Sequence, residues 1–212
     1  MPPTEIKICG LSSPEAVDAA IAGRAEYFGL VFFEPSPRNV SFGTAAALAQ
    51  RSGSAIARVG VFVDPSDDLL SEAVAAGRLD AIQLHRATAA RRAAIRARYG
   101  LPVWAVVEVS QPADLAARGH LEAFDRVIYD SKTPKGSALP GGMGLAFDWT
   151  MLSGLAQPGP WGLAGGLGPV NVAEAIRITG APLVDASSGL ESAPGVKDSE
   201  KIRAFIAAAR AG

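Results

Sequence analysis

The sequence is poor in chemistry-bearing side chains, with one cysteine and two histidines in 212 residues. A single cysteine forms no internal disulfide, so nothing implies an oxidising compartment. No second cysteine or close histidine supplies metal-ligand spacing, so a zinc site is not expected. Excess charge of one sign is also missing, because 20 basic and 21 acidic side chains leave a net charge of -1. That balance lacks the electrostatic footprint of a nucleic-acid or membrane-surface binder, and neither partner is expected. Only 19% of residues are charged while 49% are hydrophobic, which excludes a disordered chain. The first residues, Met-Pro-Pro-Thr-Glu-Ile-Lys, lack a basic stretch leading into an apolar one. They do not read as a secretory signal, and the expected address is the cytoplasm.

Residues 149–173 carry no charge at all, a length that would suit a membrane span. Six glycines and three prolines interrupt them, with Gln157 and Asn171 adding polar groups. The stretch reads as buried strand and turns.

What the sequence does have is a repeat. Apolar runs recur at Ile6–Cys9, Tyr27–Val31, Ala57–Val63, Ala81–Leu84, Val103–Val107, Val127–Asp130, Trp161–Ala164 and Leu183–Ala186. Most are apolar on successive residues, as in strands covered on both faces of a parallel sheet. Helical spacing falls between them at Pro14–Gly23, Asp67–Gly77, Asn171–Gly180 and Asp198–Ala209. Several spacers end in Gly, or reach Pro just before the next strand. Eight strand-plus-helix units fill the chain without a linker. Residues 1–212 are therefore expected to form one α/β domain, a single (β/α)8 barrel, with an open α/β sheet as the competing architecture. Two long connections, Phe33–Phe42 and Ser131–Ala146, follow strands and would open on the C-terminal face, where barrels carry their chemistry.

Alternation along strands puts Lys7 and Cys9 on the barrel interior, with Asp130, Asp185 and His85 aimed the same way. Each has a plain structural reading beside a functional one. Cys9 is either a small buried hydrophobe or, at the mouth beside Gly10, a thiol able to act as a base. Asp130 either caps Ser131 or pairs with Lys132, or else it is a general acid. His85 reads as a hydrogen-bonded structural imidazole as readily as a participant. Lys7 offers an amine for a Schiff base, although an interior ion pair with a mouth carboxylate is the simpler reading. Arg38 suits a substrate carboxylate. Arg86, Arg91, Arg92, Arg96 and Arg98 read as a polar outer helix face. Gly165 and Gly166 after the seventh strand, and Ser187, Ser188 and Gly189 after the eighth, suit a phosphate cradle. Neither piece is a nucleotide-binding fingerprint, so a phosphorylated small molecule is the expected partner.

Taken in order, Lys7-Ile-Cys-Gly10, Gly29-Leu-Val-Phe-Phe33 with Ser36-Pro-Arg38, Val59-Gly-Val-Phe-Val63, Gln83-Leu-His85 and Asp130-Ser-Lys132 form one set with the later pieces. Those are Gly141-Gly-Met-Gly144 with Phe147-Asp-Trp149, Ala164-Gly-Gly-Leu167 and Asp185-Ala-Ser-Ser-Gly-Leu-Glu191. The set resembles the phosphoribosylanthranilate isomerase family of tryptophan biosynthesis over nearly the whole chain. The resemblance implies a cofactor-free Amadori rearrangement of an aminoaldose, with Cys9 as base and Asp130 as acid. It further implies Arg38 on the anthranilate carboxylate, Asp185 on the sugar hydroxyls, His85 lining the substrate, and the phosphate at Gly165, Gly166, Ser187, Ser188 and Gly189. Two departures stand out, Arg86 where the family commonly has Gly, and Met143 in place of a hydroxyl. Another phosphosugar isomerase or epimerase barrel, and a non-catalytic phosphosugar-binding barrel, remain as alternatives. The oligomeric state stays open, a monomer being the simpler expectation.

Overall fold

The structure, a computed structural model, describes residues 3–120, 122–132 and 146–212. Met143, the glycines at 141, 142 and 144, and most of the connection expected at 131–146 lie outside the described residues. Eight parallel strands close into a barrel in chain order. They are β1 (Glu5–Cys9), β2 (Tyr27–Phe32), β3 (Ala57–Val63), β4 (Ala81–His85), β5 (Val103–Val109), β6 (Arg126–Ser131), β7 (Trp161–Leu163) and β8 (Leu183–Ala186). The seam pairs β1 with β8, in register Lys7 to Asp185.

Among the described residues six α-helices cover the barrel: α1 (Pro14–Ala22), α2 (Phe42–Ser52), α3 (Asp67–Gly77), α4 (Ala89–Tyr99), α5 (Val172–Thr179) and α6 (Ser199–Ala211). Their starts follow from side chains that take up orphan backbone donors. Ser13 accepts from the Ala16 N–H, Ser66 from Leu69, Thr88 from Arg91, and Asp198 from Glu200 and Lys201. Among the described residues, the spacers after β5 and β6 carry 3-10 segments, Pro112–His120 and Trp149–Leu152, where the repeat implied α-helices. In the second case Gly154, Pro158, Gly159 and Pro160 keep the stretch after Leu152 from continuing as a helix into β7. The sequence reading also missed a short antiparallel hairpin after β8, formed by β9 (Glu191–Ala193) and β10 (Val196–Lys197).

Strand parity sorts the core as expected. Val59, Ala81, Trp104, Ile128, Ala164 and Leu183 form one buried cluster, with Tyr27 and Val106 packed against it. Ile6, Ile8, Phe28, Leu30, Phe62, Ile82 and Leu84 belong to a second, larger cluster that includes the helix residues Val17, Leu48, Leu70 and Phe205. At the N-terminal end the Arg126 guanidinium lies 4.9 Å from the Trp104 ring and 5.5 Å from the Tyr27 ring. Its Nη1 donates to Glu5 at 2.6 Å, and Glu5 also accepts from the Tyr27 hydroxyl at 3.1 Å.

The helix α4 arginines divide. Arg96 and Arg98 lie on the outer face and pair with Asp125 and Asp67. Arg92 departs from the expected polar face, since it is buried and donates to the backbone carbonyls of Ala87 and Glu122. No described helix is long and apolar enough to cross a membrane.

Arg126→Ala removes a cation shared by two rings and leaves Glu5 with the Tyr27 hydroxyl but no counter-charge. The expected outcome is a stability loss of about 1–3 kcal/mol in urea unfolding. The opposite end of the barrel should be untouched, so a folded variant that lost ligand binding instead would contradict this division.

Candidate functional site

The C-terminal mouth of the barrel opens into a cavity lined by strand ends and the loops that follow them. Cys9, Arg38, His85, Asp130, Gly165, Gly166, Asp185, Ser187 and Ser188 all line it. Nine positions expected from the sequence are thus brought together from loops and strand ends up to 179 residues apart. Gly189 is the exception. A Cβ there would come within 2.2 Å of the Leu167 carbonyl oxygen, so its place is the tight packing of the β7 and β8 loops against each other. Val31, Phe33, Val61, Val63 and Leu167 supply an apolar part of the wall.

Cys9 ends β1 beside Gly29, whose missing side chain is what admits the thiol: a Cβ there would lie 2.9 Å from Sγ. Burial pushes the Cys9 thiol above its ordinary value, opposed by the Lys7 and Lys197 ammonium groups and assisted by the Asp185 charge. Lys7 is fully buried and donates to Asp185 Oδ2 at 2.6 Å, which makes it an interior ion pair. Burial alone would lower the Lys7 pKa, but the attraction of Asp185 and Cys9 outweighs it and the net shift is upward. The second oxygen of Asp185, Oδ1, is buried without a hydrogen-bond partner.

Asp130 stands across the cavity at the end of β6. Burial and the nearby Asp185 charge push it up to about 7, against a smaller lowering by the Ser131 N–H. Its pairing with Lys132, one of the plain readings, does not form, because Lys132 donates to Asp114 at 2.7 Å instead. His85 is driven down to about 4 by burial, with Lys7 and Arg86 adding to the effect, and is neutral at pH 7. Its Nε2 lies 3.4 Å from Gln83 Nε2, while Gln83 Oε1 and His85 Nδ1 are buried without partners. Gln83, noticed in the sequence only as a neighbour of His85, is therefore a polar part of the floor.

Arg38 is fixed by a two-point contact to Glu191, Nε to Oε1 at 2.7 Å and Nη2 to Oε2 at 2.8 Å. The hairpin explains how. Gly195, at φ +81°, brings the β9–β10 turn against the Pro37 carbonyl and donates its N–H to Glu191. Lys197 follows, donating to Glu191 Oε1 at 2.6 Å, to the Ser187 carbonyl at 3.0 Å and to Ser187 Oγ at 3.3 Å. Ser187 Oγ in turn donates to the Cys9 carbonyl at 3.1 Å. Lys197 and Glu191 were not read as site residues. Asn171 was also missed: it accepts from the Gly168 N–H and donates to the Gly166 carbonyl, bracing the glycine loop. Gly165 and Gly166 adopt φ of +87° and +66° there, and a Cβ on Gly165 would lie 2.5 Å from the Ser131 nitrogen. The arrangement offers an acid and a thiol on opposite strands, apolar wall between, and a glycine loop for an anion.

The model of the N-(5'-phosphoribosyl)anthranilate (PRA) isomerase family matches residues 6–208. The N-(5'-phosphoribosyl)anthranilate isomerase of Paramagnetospirillum magneticum is 54% identical over 212 residues, 99% of either chain. Among solved structures, phosphoribosyl anthranilate isomerase from Thermotoga maritima superposes with a TM-score of 0.87 at 30% identity, covering 99% of this chain and 100% of that one. Another, solved in complex with reduced 1-(o-carboxyphenylamino)-1-deoxyribulose 5-phosphate, gives a TM-score of 0.82 at 27% identity, covering 99% and 100%.

Asp130 supplies a test that needs no substrate. Its pKa is raised on folding, so the folded state holds a proton that the unfolded chain has released, at a cost that grows as pH rises from the ordinary carboxylate value of 3.8 to about 7. Asp130→Asn should raise the melting temperature more at pH 8 than at pH 5. An equal gain at both would show that the carboxyl is not perturbed. With barrel, site and full-length similarity in agreement, the chain belongs to the N-(5'-phosphoribosyl)anthranilate isomerase family.

Proposed function

We propose that the chain converts N-(5-phosphoribosyl)anthranilate into its 1-deoxyribulose 5-phosphate isomer, a step of tryptophan biosynthesis. The observation that carries this reading is a perturbed carboxyl, Asp130, facing a thiol, Cys9, in one cavity. Held near pH 7 in its neutral form, Asp130 donates its proton to the ring oxygen, and the C1–O bond breaks to give an iminium ion. The Cys9 thiolate then takes the proton from C2. The C–H electrons move to the iminium, giving an enaminol, which tautomerises to the ketone with return of a proton. Each proton transfer contributes about 10²–10⁴-fold.

Around these two groups the remaining roles follow from position. Asp185 Oδ1, buried and without a partner, accepts from a sugar hydroxyl. Arg38, braced by Glu191, receives the anthranilate carboxylate, and the apolar wall beside it receives the ring. The phosphate lies among Gly165, Gly166, Ser187 and Ser188; Gly189 serves by packing rather than contact. His85, neutral, lines the substrate. No cofactor is required by these steps. Residues 1–212 are read as one catalytic domain. A base that must remain a free thiol fits a reducing compartment, in keeping with a cytoplasmic address.

Loss of substrate fluorescence measures the reaction directly. Cys9→Ser and Asp130→Asn should each lower kcat by orders of magnitude while still binding a reduced product analogue, and EDTA should leave the parent rate unchanged. Full activity in either variant removes its assigned role, and no turnover by the parent removes the isomerase reading.

The pH profile adds a sharper expectation. With Asp130 near 7 and the thiol above its ordinary value, the productive pair of neutral acid and thiolate is the minor form of a singly protonated site. The quotient kcat/KM should therefore rise towards pH 7 and hold on the alkaline side. A fall beginning just above pH 7 would mean that the thiol is already ionised there.

A further inference from the structure

We propose that Lys7 is the positioning residue for the base, its ammonium pinned by Asp185 so as to provide the counter-charge of the Cys9 thiolate. This rests on the reading of Cys9 as base and deepens it, since none of the steps above uses Lys7.

Four observations carry it. Lys7 is fully buried, so its charge is not there for solubility, and an unneeded buried ammonium is costly. It stands two residues from Cys9 on the same inward face of β1, which brings its ammonium within reach of the sulfur. Its anchor, Asp185 Oδ2 at 2.6 Å, comes from the strand in register with it across the barrel seam, so the ammonium has a fixed position. Finally, Gly29 on the adjacent strand β2 backs the thiol closely, which holds Sγ in place beside the cation.

The other charges around the thiol do not substitute for it. Lys197 approaches from the hairpin, but it is committed to Glu191 and Ser187. Arg38 approaches from the β2 loop and is held by Glu191. His85 from β4 is neutral, while Asp130 from β6 and Asp185 from β8 bring no positive charge. A Schiff-base role is excluded by the same geometry, because the amine is an ammonium fully enclosed with its carboxylate.

The test titrates the thiol of the free protein, so its result stands whether or not the isomerase reading holds. Iodoacetamide consumes the thiolate, forming the S–CH2 bond and releasing iodide, and its rate against pH reports the Cys9 pKa. In Lys7→Met the profile should move upward by about one unit or more, a tenfold slower alkylation at fixed pH below it. kcat should fall in parallel while KM changes less, and Lys7→Arg should restore part of both. Asp185 is left unpaired by Lys7→Met, so that variant can fail to fold; Lys7→Met/Asp185→Asn then keeps the interior neutral. It should still show the upward move, because the lysine's effect on the thiol exceeds that of the aspartate. An unchanged alkylation profile in either folded variant overturns the proposal, as does a loss confined to KM.

Discussion

A buried ammonium and a buried carboxylate meet where the first strand of the barrel lies against the last. Lys7 and Asp185 are register partners across that seam, 2.6 Å apart, and the cavity with its chemistry lies directly above them. A well-packed apolar pair would close a barrel as firmly, since desolvation cancels much of what such an ion pair gains. Its retention makes more sense as electrostatics than as stability. The pair sets a fixed positive centre beneath Cys9, keeps one carboxylate oxygen of Asp185 for the cavity, and lends a negative charge that helps hold Asp130 neutral. Four titratable side chains on three strands, Lys7, Cys9, Asp130 and Asp185, are thereby coupled through one contact.

The barrel itself was legible because its strands obey two simple constraints. Burial on both faces forces continuous apolar runs, and pleating fixes which residues point inward. Lys7, Cys9, Asp130 and Asp185 could be assigned to the interior from parity alone, and they are found at the seam or lining the mouth. The weaker part of the pattern was the spacers. A segment with Gly154, Pro158, Gly159 and Pro160 can be the right length for a helix and still be unable to form one.

What stayed hidden depends on contacts that no local spacing encodes. Glu191 and Lys197 join the site only because a two-strand hairpin folds the chain after β8 back over the β2 loop. The only local signal was Gly195, whose left-handed conformation makes the hairpin turn beside Pro37. Gly189 was legible as a glycine of the cradle but not as a spacer, since its constraint is a carbonyl 22 residues earlier in the chain. Asn171 looked like the start of a helix; its side chain serves the preceding loop instead. In each case the residue type was informative, and its partner was not.

Burial acts on the two proposed proton-transfer groups in opposite senses. Removing water raises the pKa of any neutral acid, which suits Asp130, whose task is to hold a proton near neutrality, and works against Cys9, whose task is to lose one. One cavity cannot be dry for one group and wet for the other. The asymmetry must come from fixed charge, and the fold distributes it accordingly. At Cys9 the lowering by Lys7 exceeds the raising by Asp185 and is joined by Lys197, whereas at Asp130 the raising by Asp185 exceeds the lowering by Lys7 and is joined by Glu108. Fixed charge thus offsets part of the cost that burial puts on a thiolate, while it adds to the effect of burial at the acid. The opposite end of the barrel, closed by Tyr27, Trp104, Arg126 and Glu5, carries no such imbalance, and its cation is spent on packing two aromatic rings.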